Sequence, residues 1–196
     1  MATATTSARA TMAIFLLVAL FTSQTASSLV KLRGFDEASC QFSGYLPGTS
    51  GDCDKNNNPD CCADGQQYER FLCSPPISAT TWAVLTVNSF GKGKDGGFPS
   101  ECDRAYHDDS EKVVALSTGW FNGMSRCGHN IKITARDGTS VSAKVMDECD
   151  SMNGCDAEHN YEKPCAYNIV DASPAVWNAL GLDQNTGMVD VTWSDE

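Results

Sequence analysis

Residues 130–146 read NIKITARDGTSVSAKVM. Before the centre, Ile131 and Ile133 alternate with Lys132 and Thr134; after it, Val141, Ala143 and Val145 alternate with Ser142 and Lys144. Successive side chains of a strand point to opposite faces, so a period of two marks a strand with one buried side. Arg136-Asp137-Gly138-Thr139 joins the two runs. Its Asp-Gly pair suits a tight hairpin, because glycine adopts positive φ without steric penalty. The stretch predicts two antiparallel strands sharing one apolar face.

The same rhythm spreads outward. Trp82–Val87 (WAVLTV) and Lys112–Leu116 (KVVAL) are strand-like, and in Met188–Trp193 (MVDVTW) Val189, Val191 and Trp193 alternate with Asp190 and Thr192. One helix is expected: Ser173 suits the N-cap, Pro174 the first turn and Gly181 the position after the last turn. Val176, Trp177 and Leu180 form its apolar side. Many short strands with one short helix over residues 82–196 predict a small β-barrel or sandwich. Closing the sheet would remove its exposed edges.

Composition narrows the function classes. The 196 residues carry 14 Lys+Arg against 25 Asp+Glu, a formal net charge of −11. A phosphate backbone or an anionic membrane surface needs a basic face, so neither is an expected partner. The chain opens with one base, Arg9, then the apolar run Met12–Phe21, then small polar residues. This is the layout of a secretory signal peptide, about residues 1–26, with cleavage between Ser23 and Ser28. The apolar run is too short to span a bilayer.

All ten cysteines follow that segment: Cys40, Cys53, Cys61, Cys62, Cys73, Cys102, Cys127, Cys149, Cys155 and Cys165. An even number in an exported chain reads as disulfides, with the pairing left open. The spacings show no C-x-x-C metal signature, and no metal or cofactor is expected. Five cysteines crowd between Cys40 and Cys73 among turn-forming residues. Residues 39–76 therefore read as a small cross-linked module, closed by Ser74-Pro75-Pro76, ahead of a larger domain at 82–196. Asp54, Asn56 and Asn58 imitate the start of a calcium loop, but Pro59 and Gly65 stand where that loop needs Gly and Glu.

Several motifs together carry a resemblance. Cys127-Gly128, Val145-Met146-Asp147-Glu148-Cys149, Ile169-Val170-Asp171, the Pro174–Leu180 helix and Gly187–Trp193 resemble the six-stranded double-psi β-barrel of barwin-like proteins and of the first expansin domain. The Cys61-Cys62 doublet, Cys73-Ser74-Pro75-Pro76 and Ser117-Thr118-Gly119-Trp120-Phe121 make residues 39–196 more similar still to the kiwellins, the ripening-related proteins of plants. The resemblance implies a mainly β fold with short helices behind a disulfide-rich module. It further implies a secreted, apoplastic defence protein, without enzymatic activity, that binds and inhibits a secreted fungal chorismate mutase.

The same likeness raises an alternative. By motif position, Asp147 and Asp171 match the aspartates of expansin-like proteins that act on cell-wall polysaccharide or chitin. A glycosidase needs one protonated and one ionised carboxyl. Against this stands a structural role for both: Asp171 precedes a helix N-terminus, and Asp147 ends a strand where it can accept backbone N–H groups. We read them as retained for the fold. Trp177 and Trp193 fall on apolar faces, while at most one of Trp120 and Phe121 is expected at the surface. His107, His129 and His159 lack mutual metal spacing and are expected to be polar surface residues. Partner contacts are expected from Gly91–Pro99 and Met152–Pro164, with Lys92, Lys94, Phe98, Asn153, His159 and Tyr161 as candidate residues. A monomer is the expected state.

Overall fold

The computed structural model describes residues 40–53, 60–94 and 97–196. The signal segment and the calcium-like turn lie outside them. Residues Ala38–Glu196 cluster as one compact unit.

Near the start, β1 (Gly44–Pro47) pairs antiparallel with β2 (Gln67–Arg70). Six further strands follow: β3 (Thr81–Val87), β4 (Val113–Ser117), β5 (Asn130–Ala135), β6 (Ser140–Cys149), β7 (Ile169–Ala172) and β8 (Met188–Asp195). They close into a barrel in the order β3-β7-β4-β6-β5-β8. Two contacts, β3 with β7 and β4 with β6, are parallel; the other four are antiparallel. This is the double-psi β-barrel.

The hairpin forms where the alternation places it. Thr134 pairs with Ser140, the Ala135 N–H donates to Thr139 O at 2.8 Å, and Gly138 takes φ +89°. Leu85, Val114, Leu116, Ile131, Ile133 and Val145 fill the interior and are fully buried. Each contributes on the order of 1.5–3 kcal/mol. Trp120 and Trp193 meet edge to face, with ring centroids 5.1 Å apart.

A bulge changes what alternation alone would give. Val114 pairs with Val145, but the next residue of β4, Ala115, pairs with Asp147, so Met146 is the extra residue. Without the bulge, Asp147 would share the inward phase of Val145. With it, Asp147 joins Ala115 on the outer side, a common use of bulges beside binding sites. β6 also runs on to Cys149, so Asp147 lies within the strand rather than at its end.

Two helical details go beyond the sequence expectations. Residues Thr118–Phe121 form a short helix, α1, and both Trp120 and Phe121 are buried. Strand alternation does not apply to a helical turn, so neither ring reaches the surface. The second helix, α2, spans Pro174–Ala179. Ser173 occupies its N-cap, but its side chain makes no capping bond. The hydroxyl instead donates to Glu111 O at 2.6 Å, tying α2 to the approach to β4. At the other end Gly181 has φ +69°, and the Leu182 N–H reaches back to Trp177 O at 3.0 Å.

All ten cysteines are paired: Cys40–Cys73, Cys53–Cys61, Cys62–Cys155, Cys102–Cys127 and Cys149–Cys165. Among the described residues no helix is long and apolar enough to cross a membrane.

Candidate functional site

Ala115 on β4 pairs with Asp147 of β6 on one side and with Asp171 of β7 on the other. Asp171 in turn pairs with Thr86 of β3. Sheet register therefore sets the two candidate aspartates in one row, two strand spacings or about 9.6 Å apart at the backbone. That is on the scale of an inverting carboxylate pair. Spacing alone does not set hydrolysis aside, so the surroundings decide.

Asp147 Oδ1 accepts the N–H of Glu101 at 2.9 Å and of Glu148 at 2.8 Å. The expected backbone bonding is thus present, with one amide coming from the segment between β3 and β4. Burial pushes the Asp147 carboxyl up, while these bonds and Ser100 pull it back. Asp171 is the more perturbed. Its residue keeps partial exposure, yet its carboxyl group is enclosed, and burial pushes it up to about 7. Glu162 and Asp147 add like charge; hydrogen bonds from Thr86 and Asn88 oppose them. The Thr86 hydroxyl donates to Asp171 Oδ1, a contact across the sheet in place of the expected role at the helix start. Glu148 is also pushed up by burial, against a 2.5 Å hydrogen bond from the Thr118 hydroxyl.

A carboxyl titrating near neutrality is what general-acid catalysis requires. The obstacle is access. The outer side of β4 and β6 is covered by a second apolar cluster of Phe90, Val113, Ala115, Met146 and Cys149. Segments from both flanking connections close over it: the Cys102 N–H donates to Met146 O at 3.1 Å, and Ser117 Oγ donates to Ala166 O at 2.8 Å. Trp120, Trp177 and Trp193 are all in the core, so these indoles do not border the pair.

The segments expected to meet a partner adjoin the covering residues in sequence: Gly91–Pro99 follows Phe90, and Met152–Pro164 precedes Cys165. A Cβ on Gly97 would lie 3.4 Å from Asn160 Nδ2 and 3.5 Å from Glu158 O, so Gly97 sits beside these two residues of the second segment. Lys92, Lys94 and Asn153 are exposed, and Phe98 is 60% exposed. His159 and Tyr161 are less accessible and brace the loop. The His159 imidazole stands 2.7 Å from Asp156 and 3.5 Å from Asp150. The Tyr161 ring lies against Gly51, where a Cβ would meet it at 2.4 Å. The module secures the same loop through Cys62–Cys155, a Cys62 N–H to Tyr161 O bond of 2.8 Å and a Lys163–Asp60 ion pair of 2.6 Å.

The remaining histidines divide. His129 is exposed as expected, but His107 is buried between Asp103 and Glu111 at 3.4 and 3.3 Å. Among the described residues no group of three His, Cys, Asp or Glu side chains is placed to hold a metal. Thr86, Asn88, Ser100, Glu101 and Glu162, which set the environment of the aspartates, carried no motif; only strand register brings Thr86 beside Asp171.

A family model described as Kiwellin-1 matches residues 1–196. The chain belongs to the kiwellin family. Putative ripening-related protein 5 of Oryza sativa subsp. japonica is 58% identical over 185 residues, covering 93% of this chain and 60% of that protein. Kiwellin of Actinidia chinensis var. chinensis is 60% identical over 130 residues, covering 66% of this chain and 61% of its own length. The chain thus spans about three fifths of both relatives. Among solved structures, apo expansin of Clavibacter michiganensis is similar at 25% identity and a TM-score of 0.44, covering 60% of this chain and 50% of the expansin.

Proposed function

We propose that this kiwellin-family member is a secreted plant defence protein of the apoplast, without enzymatic activity, that binds and inhibits a pathogen enzyme. The observation that carries the reading is the Met152–Pro164 loop, braced by the module through Cys62–Cys155 and set beside Gly97, next to the exposed Phe98 ring. Loops ordered in advance lose little entropy on docking, which favours affinity. Phe98 offers an apolar anchor and Lys92 and Lys94 offer charge at the rim. The partner class implied by the family resemblance is a secreted fungal chorismate mutase. Docking would lower its activity by covering its substrate entrance or holding a poor conformation.

Mature protein mixed with such a mutase is expected to co-elute with it and reduce its turnover. Phe98→Asp is expected to abolish co-elution with the melting temperature unchanged, since the ring is already exposed. Co-elution that survives this change removes the loops from the interface. A second reading, polysaccharide cleavage, is favoured by the Asp171 carboxyl titrating near 7. Sugar release from glucan or chitin, abolished in Asp171→Asn, would establish it and displace the binding reading.

A further inference from the structure

Of the four tryptophans, Trp120, Trp177 and Trp193 are 1% exposed or less, while Trp82 is 50% exposed. The difference follows from phase. Trp82 lies between Thr81 and Ala83, both buried, so its indole is on the outer face of β3. Register then continues the row around the barrel: Trp82 pairs with Thr192 of β8, Thr192 with Thr134 of β5, and Thr134 with Ser140 of β6. Thr192 stands between buried Val191 and Trp193, and Thr134 between buried Ile133 and Ala135, so both hydroxyls belong to the outer face. One flat indole is thus followed by three hydroxyl groups over about 14 Å.

The next row places Val84 opposite Asp190, and Asp190 forms an ion pair with Arg136. These residues border a shallow cleft of about 410 Å³ that Leu182, Met188 and Val189 also line. Asp190 and Arg136 thus balance each other, with Lys132 as a further charge on the outer face of β5, in a chain of net charge −11. A polyanion would be repelled by the molecule as a whole. Along the row of Trp82 itself the indole is followed by hydroxyls, while the apolar side chains Val84, Leu182, Met188 and Val189 gather on one side of it.

We propose that the outer face of β3, β8 and β5, centred on Trp82, binds a neutral glycan chain with equatorial linkages, such as a β-1,4-glucan. The apolar C–H face of one sugar ring stacks on the indole, and the hydroxyls of Thr192, Thr134 and Ser140 exchange hydrogen bonds with hydroxyls of the following rings. Hydroxyls serve both as donor and acceptor, which suits a ligand with the same dual character. Arg136 and Asp190 supply planar groups at the margin. The Asp147–Asp171 row reaches this face at Thr86, four residues along β3 from Trp82, and the proposal does not depend on the loop interface proposed above.

The test is titration of the folded protein with a β-1,4-linked glucose hexamer, an N-acetylglucosamine hexamer and a polygalacturonate fragment, followed by the four indole N–H signals in NMR. The expected result is a shift of the Trp82 signal alone, with one or both neutral hexamers and not with the acidic fragment. Trp82→Ala should weaken binding about tenfold or more, and Trp82→Phe should restore part of it. The outward indole supports no core packing, so the variants should melt near the parent temperature. No shift of Trp82 with either hexamer, preference for the acidic fragment, or unchanged affinity in Trp82→Ala each overturns the proposal. So does a Trp82 response to a protein partner only.

Discussion

Between Cys40 and Cys73, among the described residues, only Cys62 and Phe71 are buried, whereas every residue of β4 is. The first region holds two short strands and turns; the second closes a six-stranded sheet around three tryptophans. The barrel rests on apolar burial, worth about 25 cal/mol per Å². The module has too little such surface and depends on cross-links that restrict its unfolded chain. Cysteine parity shows how the two are joined. Five cysteines lie in each region, an odd number, so complete pairing requires at least one bridge between them. That bridge is Cys62–Cys155, and it anchors the Met152–Pro164 loop.

The largest expected effect comes from cutting that tie. Cys62→Ser with Cys155→Ser removes a closed loop of 93 residues, worth about 4–5 kcal/mol on the loop-entropy scale. The same change at Cys53 and Cys61, eight residues apart, should cost about half as much. Denaturant titration of both pairs measures the contrast. Equal losses would mean that strain or residual structure governs the module, and that its difference from the barrel is not one of chain entropy.

The sequence foretold the barrel better than the module for the same reason. Alternation in NIKIT and SVSAKVM is a direct image of burial on one face, and the strands lie within a few residues of the expected limits. β1, β2 and β7 are four-residue strands, too short for a period to stand out. Ile169-Val170-Asp171 was visible only as a motif. At the candidate site, Asp147 and Asp171 stood out by motif position, but their common row did not. That row depends on β4 lying between β6 and β7 and on the bulge at Met146, both properties of the closed sheet. The partial burial of Cys40–Cys73 residues likewise depends on docking against distant loops. Phe71, for instance, stacks near Tyr167 with ring centroids 5.2 Å apart.

Asp171 tests the barrel from its polar side. Its folded pKa of about 7 lies above the ordinary 3.8 because burial opposes the charge. The folded state therefore holds a proton that the unfolded chain releases between these values. Stability should be full below about pH 4, decline as pH rises toward 7 and stay level above it. Asp171→Asn removes this decline and keeps a partner for Thr86. It should exceed the parent by about 2–4 kcal/mol above pH 7 and match it near pH 4. Thermal unfolding across pH 4–8 checks this. A variant less stable at pH 8 would show that the carboxylate is held by more than it loses to burial.

The smallest effect is expected where the two regions meet. His159 is pushed up to about 9, first by Asp150 and then by Asp156, against burial. Asp156 is nearer, but its side chain is 53% exposed against 22% for Asp150, so solvent weakens its hold. Hydrogen bonds from His159, Asn153 and Met152 keep Asp150 well below the ordinary carboxylate range despite burial. Here the folded pKa is raised on a base. The stabilisation is complete below pH 6.5 and is lost as pH rises through about 9. His159→Gln should thus cost about 1 kcal/mol at pH 6, after allowance for solvent screening, and almost nothing at pH 9.5. Amide exchange of residues 152–164 is the sensitive readout, because a local opening escapes a global melt. If exchange rises in the variant at pH 6 but not at 9.5, the ion pair and the Cys62–Cys155 bridge hold the loop by separate means. If exchange is unchanged at both, the bridge alone suffices, and the ordering of the loop belongs entirely to the module.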